Sequence, residues 1–252
     1  MPDQAHFFRS RIRLSQIAII VWISPVLFLA PAPACAGTDN VADAGSIQGE
    51  VRITRDLPAQ RMRFRLYPGF KSIPPPTAKE KRDDEWQNIV IYLKSTSALP
   101  ELDGESENLP MVQLGETFIP HVLPIVKGST VKFPNQDPIF HNVFSLSGTK
   151  SFDLGRYPKG DSRSVVFEEA GIVPVFCHIH SDMSAIILVL ENPYFAIPGP
   201  EGHYRIENIP AGSHTLVAWH ERSEPVELPV EVVAGEVLEL DITVPIKDDD
   251  SP

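Results

Sequence analysis

Four side chains of this sequence have the chemistry to bind one soft metal ion. Cys177, His180 and Met183 lie within seven residues of one another, directly after the strand-like run 173–176. His141 lies upstream, at the end of another strand-like run. A thiolate, two imidazoles and a more distant thioether form the ligand set with which proteins hold a copper ion that passes single electrons. Because thiolate and thioether suit Cu(I), the sequence predicts a mononuclear copper site.

The cysteine count narrows the choice of metal site. The chain has two cysteines, Cys35 and Cys177, and Cys35 falls in a segment that we expect to be removed. A single thiol excludes a dinuclear copper centre bridged by two cysteines. A structural zinc site would use more thiolates or two pairs of closely spaced ligands. The alternative is a buried cysteine beside unrelated surface histidines, but four candidate ligands at this spacing favour a metal.

Residues 1–36 have the pattern of a secretory leader. Basic residues at positions 9, 11 and 13 precede the apolar run 17–30, and small residues flank Cys35 before Gly37. The apolar run is shorter than the roughly 20 residues of a membrane-spanning helix, so no stable span should remain after cleavage. A lipid anchor on Cys35 is an alternative, although the leucine usual three positions before such a cysteine is absent. We expect an exported, periplasmic protein, in whose oxidising compartment a metal best explains an unpaired cysteine.

The charge balance restricts the partners. The chain carries a formal net charge of −11, with 22 lysines and arginines against 33 acidic residues. This excess of acid argues against nucleic acid, and it favours encounter with a basic partner if the acidic charges cluster near the site. We expect a redox protein as the partner, either a basic cytochrome or a dehydrogenase. The tail 247–252 is acidic and is expected to be solvated.

The elements that must position the ligands are short strands. The chain contains 25 prolines and lacks long helical periodicities, apart from one expected helical turn near residues 78–86. Short runs of apolar and β-branched residues, bounded by turn residues, predict an all-β fold built of sandwiches. The predicted strands cover residues 47–53, 89–94, 121–126, 129–133, 143–146, 164–167, 173–176, 185–190, 204–206, 215–219, 226–232 and 237–244.

The chain separates into regions of different pattern. Residues 46–98 hold two predicted strands and, between them, a polar, proline-rich stretch at 67–86 that is typical of an exposed loop. Residues 99–192 contain all four candidate ligands. Residues 193–246 carry a further pattern of strands and turns.

The central region resembles the cupredoxins, the blue-copper family. The residues that carry the resemblance are the runs 117–120, 128–137, 141–143 and the Cys-x-x-His-x-x-Met run at 177–183. The resemblance implies a Greek-key β-sandwich that holds one type 1 copper ion. The two-residue gap between His180 and Met183 is similar to that of amicyanin.

The resemblance also implies a role for each residue. His141 and His180 match the two imidazole ligands, whereas Cys177 matches the thiolate. Met183 matches the weak axial thioether. Asn135 matches an asparagine that in this family forms hydrogen bonds across the two ligand loops, which orients the ligands.

The remaining histidines are less suited to bind this metal. His178 adjoins the cysteine on an extended chain, so its side chain should point away from the thiolate and lie at the surface. His121 is expected to be a packed or exposed strand residue. A second metal site is conceivable from His203, His214 and His220, but histidines scattered over exposed strands are the commoner arrangement.

The pattern Gly-x-Tyr-x-Ile-x-x-Ile-Pro-x-Gly-x-x-Thr-Leu at residues 202–216 points to a second sandwich. It resembles the carboxypeptidase regulatory-like, or transthyretin-like, β-sandwich modules. Such modules open with a Gly-x-Val strand, and here Gly-Glu-Val stands far upstream at residues 49–51. We therefore expect residues 46–98 and 193–246 to form one sandwich, with the cupredoxin inserted between them. The alternative is that residues 46–98 pack on the cupredoxin alone.

The expected function is one-electron transfer between redox partners through one copper ion. The resemblance implies that electrons enter or leave at the exposed edge of His180, which should be ringed by Ile139, Phe140 and Ile179. A copper carrier or scavenger with the same ligands is an alternative, and so is a docking module with structural copper. An enzyme is not expected, because the sequence indicates neither a second copper site nor a nucleophile–base arrangement.

Overall fold

The computed structural model describes residues 44–54, 85–94 and 108–246. This part of the chain is nearly all β, which confirms the predicted fold class, and its helical residues are limited to Glu85 and Trp86. None of its residues belongs to a helix that is long and apolar enough to span a membrane. The predicted leader, most of the proline-rich loop and the acidic tail lie outside the described residues.

The strands of the described part number eighteen. In chain order they are β1 (Ala44–Ile53), β2 (Val90–Lys94), β3 (Asn108–Pro110), β4 (Val112–Gln113), β5 (Phe118–Ile119), β6 (Val122–Val126), β7 (Thr130–Pro134), β8 (His141–Leu146), β9 (Ser151–Tyr157), β10 (Ser162–Val166), β11 (Gly171–Phe176), β12 (Ser184–Leu190), β13 (Phe195–Ala196), β14 (His203–Pro210), β15 (Gly212–Trp219), β16 (Val226–Val232), β17 (Val237–Glu239) and β18 (Ile242–Val244). Strand β9 is not among the predicted strands because it is an edge strand with little burial, interrupted by Gly155.

Strands β3–β12 form a sandwich that holds all four candidate ligands, here called the central sandwich. One of its sheets has the order β6–β12–β11–β8–β9 and the other β10–β7–β3, while β4 and β5 form a short hairpin. Alternate residues of β7 are buried, as expected for a strand that covers a core on one face. Inward side chains of both sheets share one hydrophobic core, which includes Phe133, Tyr157, Phe167, Val175 and Ile187.

Strands β1, β2 and β13–β18 form a second body, here called the outer sandwich. Its sheets have the orders β14–β1–β17, with β18 also paired to β1, and β13–β2–β15–β16. Strands β1 and β2 precede the central sandwich in the chain, whereas their partners β14 and β15 follow it. Residues of both sheets share a core that includes Ile47, Ile91, Leu93, Ile206 and Leu216. The chain therefore starts the outer sandwich, builds the central one and then returns.

Gly49 permits a close backbone approach in the outer sandwich. A Cβ atom at this position would lie 2.0 Å from the carbonyl oxygen of Leu240, which follows β17. The amide of Leu240 also donates to the carbonyl oxygen of Gln48 (2.8 Å). A side chain at position 49 would separate these two segments, so the glycine of the Gly-x-Val pattern has a packing role.

The two sandwiches contact each other through an apolar cluster. Val90 and Trp219 of the outer sandwich pack with Val122, Leu188 and Leu190 of the central sandwich, and all five are buried. Because side chains alternate along a strand, β12 contributes one set of residues to the central core and another to this contact. Strand β12, which follows the loop that carries Cys177, His180 and Met183 (the ligand loop), is therefore packed on both faces.

Candidate metal centre

Three of the candidate ligands lie on one tight loop between adjacent strands. β11 ends at Phe176 and β12 begins at Ser184, and these two residues pair across the hairpin. Within the loop, the Cys177 amide donates to the carbonyl oxygen of Met183 (3.2 Å), and the Met183 amide donates to that of His180 (3.1 Å). These backbone bonds close the loop and keep its three candidate ligands near one another.

His141 reaches this loop from the neighbouring strand. It is the first residue of β8, and β8 pairs with β11 through Phe144 and Phe176. Its side chain is completely buried. A ligand on an adjacent strand can therefore face the loop from the side.

His141 Nδ1, His180 Nδ1 and Cys177 Sγ form a small triangle. The two nitrogens are 3.0 Å apart, and the sulfur lies 3.9 Å from His141 Nδ1 and 3.7 Å from His180 Nδ1. Among the His, Cys, Asp and Glu side chains that the structure describes, this is the one group of three or more that could hold a metal ion. The structure thus brings together three of the four predicted ligands.

The size of this triangle fits a metal ion. The point in the plane of these three atoms that is equidistant from them lies about 2.1 Å from each. Bonds from a first-row ion such as zinc are about 2.0–2.1 Å to nitrogen and about 2.3 Å to sulfur. Two imidazoles and one thiolate in a trigonal arrangement are the donor set of blue-copper sites. Both the donors and their spacing therefore fit one copper ion.

Asp137 orients the ring of His141. Its Oδ2 accepts a hydrogen bond from His141 Nε2 (2.8 Å), which leaves Nδ1 facing the triangle. The carboxylate also accepts hydrogen bonds from the backbone amides of Gly115 (2.6 Å) and Glu116 (2.9 Å). Burial by itself would raise the pKa of Asp137, but these donors and His141 hold that pKa below its usual value. A carboxylate on the far nitrogen fixes the tautomer of a ligating histidine and makes it a stronger ligand.

The surroundings of Cys177 favour its thiolate. Burial by itself would raise the pKa of the thiol. The contact with His141 and the backbone N–H groups of Asn142, Ile179 and His180 instead lower that pKa to about 6. Because the thiolate is the form that binds metals, the site can accept a cation at neutral pH without a large cost of deprotonation.

Met183 lies at the end of the ligand loop. Its side chain is buried and belongs to the core of the central sandwich. Its backbone carbonyl and amide bond to Cys177 and His180, respectively. The residue therefore lies beside the triangle, while the contact of its sulfur with a metal stays a prediction.

Asn135 shapes the loop that leads to His141. Its Nδ2 donates to the carbonyl oxygens of Ile139 (2.9 Å) and Tyr157 (3.0 Å), and its Oδ1 accepts from the amide of Asp137 (2.9 Å). These bonds tie the loop to itself and to β9. The resemblance implies that this asparagine also bonds to the loop that carries Cys177, but none of these three bonds reaches that loop.

Asn142 makes the link between the two ligand loops instead. Its Oδ1 accepts from the amide of His178 (2.8 Å), and its Nδ2 donates to Asp153 on β9 (2.8 Å). Its own backbone N–H helps to lower the pKa of Cys177. The bridging role predicted for Asn135 therefore belongs to the residue that follows His141, because the side chain of Asn135 is used within its own loop and at β9.

The other histidines of the described residues are not part of the triangle. His178 is exposed, as expected for the residue after Cys177 on an extended chain. His203 is also exposed, whereas His214 is buried and contacts a backbone carbonyl oxygen at 2.7 Å. His220 is buried with its Nε2 2.9 Å from a carboxylate oxygen of Glu85. Within the described residues, the last three histidines do not come together as a second metal site.

His180 is the ligand of the triangle closest to solvent. It is half-buried, whereas the other two are buried. Ile179, its neighbour in the chain, and Phe140, the neighbour of His141, expose 38% and 57% of their surface. The rim of the site is therefore apolar and accessible.

Two residues of the site are not assigned by the sequence analysis. Asp137 and Asn142 lie within or beside the runs that carry the resemblance, but nothing in their type indicates which partner they bind. Asp137 precedes His141 by four residues, a spacing that predicts contact on a helix and not on a loop. Their roles follow from loops that meet only in the folded chain.

No protein-family model matches the chain, and no curated protein matches it. Solved structures resemble part of it. A purple cupredoxin from Nitrosopumilus maritimus is 25% identical, and the match covers 33% of this chain and 100% of that one, with a TM-score of 0.31. A copper-containing nitrite reductase from Thermus scotoductus is 25% identical over 40% of this chain and 26% of that one, with a TM-score of 0.33. A reduced amicyanin variant is 21% identical over 40% of this chain and 98% of its own, with a TM-score of 0.31.

Proposed function

We propose that the protein transfers single electrons between redox partners through one copper ion. His141, Cys177 and His180 would hold the ion, with Met183 as the weak axial ligand. The observation that carries the proposal is the triangle of two imidazole nitrogens and one sulfur, whose size fits a bound metal ion. Copper supplies a one-electron couple, for which thiolate and thioether stabilise Cu(I) and imidazole serves both oxidation states.

The residues around the triangle support this function because they limit its rearrangement. Asp137 holds the ring of His141, and Asn142 ties the two ligand loops together. The backbone bond from Cys177 to Met183 closes the loop from within. Ligands held in place by such contacts change position little when the charge on the metal changes, which favours rapid electron transfer.

The exposure of His180 supports an electron route through its ring. Its Nδ1 faces the triangle, and the residue is half-buried, whereas His141 and Cys177 are buried. The exposed apolar side chains of Ile179 and Phe140 would allow a partner to approach with little loss of solvated charge.

The acidic charge of the chain supports a basic redox partner, such as a basic cytochrome, and a dehydrogenase is the second class of partner. We propose that the protein meets this partner outside the cytoplasm, as the pattern of the leader indicates. Burial of His141 and Cys177 favours retention of copper over its release. This supports an electron carrier more than a copper carrier or scavenger, and no catalysed reaction is part of the proposal.

The visible spectrum of the copper-loaded mature protein tests the proposal. We expect addition of Cu(II) to give an intense blue or purple absorption that reductant bleaches. Cys177→Ser should abolish this absorption, because the colour arises from the copper–thiolate bond. His178→Asn is the matched control, since His178 is a surface histidine that directly follows the same cysteine.

Each alternative gives a distinct result in the same experiment. Pale, easily removed copper would indicate a carrier or scavenger. Failure to bind copper, or equal colour in Cys177→Ser, would contradict the proposed site. Loss of colour in His178→Asn would show that the ligands are wrongly assigned.

A further inference from the structure

A polar contact between the two sandwiches lies at the end of the ligand loop. His121, just before β6, has its Nδ1 3.2 Å from the carbonyl oxygen of Ser184 and its Nε2 2.9 Å from Glu221 Oε1. Ser184 is the first residue of β12, and Glu221 follows β15 of the outer sandwich. One imidazole therefore connects a carboxylate of the outer sandwich to the backbone of the central sandwich.

The partners of His121 require a proton on both of its ring nitrogens. A carbonyl oxygen and a carboxylate oxygen accept hydrogen bonds and do not donate them. Both contacts can therefore be hydrogen bonds only when the ring is an imidazolium cation. The hydrogen bond with Glu221 is the largest of the contacts that raise the pKa of His121 above its usual value, with a smaller effect from Glu85.

The neighbouring charges of the outer sandwich leave Glu221 available for His121. Glu85 forms an ion pair with Arg222 and lies 2.9 Å from His220 Nε2, so it already has two partners. His220 accepts a hydrogen bond from the Arg222 amide at its Nδ1 (3.1 Å). Glu221, in contrast, directs its carboxylate to the central sandwich.

Ser184 lies at the point where the ligand loop ends. It directly follows Met183, and it pairs with Phe176, which directly precedes Cys177. A hydrogen bond to its carbonyl oxygen therefore acts at the base of the hairpin from which the thiolate and the axial thioether extend. The amide of Ile186 donates to the carbonyl oxygen of His121 (2.8 Å). His121 therefore contacts β12 twice, through its backbone at Ile186 and through its ring at Ser184.

We propose that His121, held by Glu221, is a positioning residue for the ligand loop, so that the outer sandwich takes part in setting the geometry of the metal site. This inference rests on the proposed function, because its consequence for the metal requires that Cys177 and Met183 are ligands. The apolar contact of Trp219 with the central sandwich already joins the two bodies. The contact of His121 with Glu221 and Ser184 adds a polar connection at the end of the ligand loop.

Two substitutions of His121 separate its two contacts. By side-chain length, His121→Asn keeps a donor near the position of Nδ1 and loses the contact with Glu221. His121→Gln keeps a donor near the position of Nε2 and releases the carbonyl oxygen of Ser184. Glu227→Gln is the matched control for the outer sandwich, because Glu227 pairs with Lys94 at the surface (3.1 Å).

The first measurement is amide hydrogen exchange in the metal-free protein. We expect the Cys177 and Met183 amides to exchange about five- to tenfold faster in His121→Gln, since the loop loses a hydrogen bond at its base. In His121→Asn, which keeps a donor for Ser184 but lacks the contact with Glu221, these amides should exchange about two- to fivefold faster, and Glu227→Gln should match the parent. In the parent, ring nitrogen NMR signals of His121 should show both nitrogens protonated at pH 6.

The second measurement is the electron paramagnetic resonance spectrum of the copper(II) form. His121→Gln should shift the copper hyperfine splitting, and His121→Asn should shift it less but away from the value of the parent. Loop exchange at the rate of the parent in either His121→Gln or His121→Asn, or a neutral His121 ring at pH 6, would overturn the inference. If the parent lacks the copper–thiolate absorption, the proposed function fails, and the exchange rates in metal-free protein still decide whether His121 positions the loop.

Discussion

Asp137→Asn removes one buried charge that faces the ring of His141. In the parent, Oδ1 accepts from the amide of Gly115, and Oδ2 accepts from the amide of Glu116 and from His141 Nε2. An asparagine side chain has a single accepting oxygen. If this oxygen takes the place of Oδ2, it still accepts from Glu116 and His141. The asparagine NH2 group then faces the Gly115 amide, and the hydrogen bond from Gly115 is lost.

The structure sets the size of the two effects. Gly115 lies at the surface, where water can replace the lost acceptor, so the free energy of unfolding of the metal-free protein should fall by only about 1 kcal/mol. The effect on the metal should be larger, because hydrogen bonds to a charged group are roughly twice as strong as neutral ones. We expect copper affinity to fall about 10- to 100-fold, the range for residues that orient a ligating histidine.

Competition with a chelator of known affinity measures this loss, and urea unfolding of the metal-free protein measures the stability. Asp182→Asn is the control, because Asp182 lies in the ligand loop, carries the same charge and is exposed. Solvent screening should limit the change in affinity for this control to about threefold. If both variants bind copper equally well, Asp137 does not act through His141, and the reasoning is refuted.

Two further predictions concern Met183 and the His121–Glu221 pair. Met183→Leu roughly conserves volume, so the free energy of unfolding of the metal-free protein should change by less than about 1.5 kcal/mol; the reduction potential of the copper form should shift, and an unchanged potential would argue against axial ligation. Burial raises the pKa of Glu221, but His121 brings it below its usual value, while the hydrogen bond to Glu221 raises the pKa of His121. The pair therefore stabilises the fold at pH values between the pKa of Glu221 and that of His121. Its contribution is lost as pH falls through the pKa of Glu221 or rises through the pKa of His121. Urea unfolding of the parent and Glu221→Gln from pH 4 to 9 should show this window, and a difference independent of pH would contradict it.

The candidate ligands could be proposed from the sequence because three of them are local. Cys177, His180 and Met183 follow one strand within a single loop, so residue type and spacing almost determine their proximity. His141 required one further inference, that its strand lies beside the strand before the cysteine. The all-β class followed in the same way from short apolar runs bounded by turns.

The contacts that brace the site could not be predicted because they join distant segments. His121 and Glu221 are 100 residues apart in the chain, and their contact depends on how two sandwiches pack. Asn142, rather than Asn135, reaches the loop that carries Cys177, because Asn142 accepts from the His178 amide whereas Asn135 donates to the carbonyl oxygen of Ile139. The edge strand β9 escaped prediction since an edge needs few apolar residues.

The apolar contact between the sandwiches also has a consequence for the proposed encounter with a redox partner. Because Val90 and Trp219 pack against Val122 and β12, the metal loop is not carried on a freely moving arm. A tethered redox domain raises its own local concentration near a fixed acceptor, and that gain depends on linker length. Under the proposed function the two sandwiches should instead meet a partner as one body, so the rate of transfer should rise with partner concentration and respond to ionic strength.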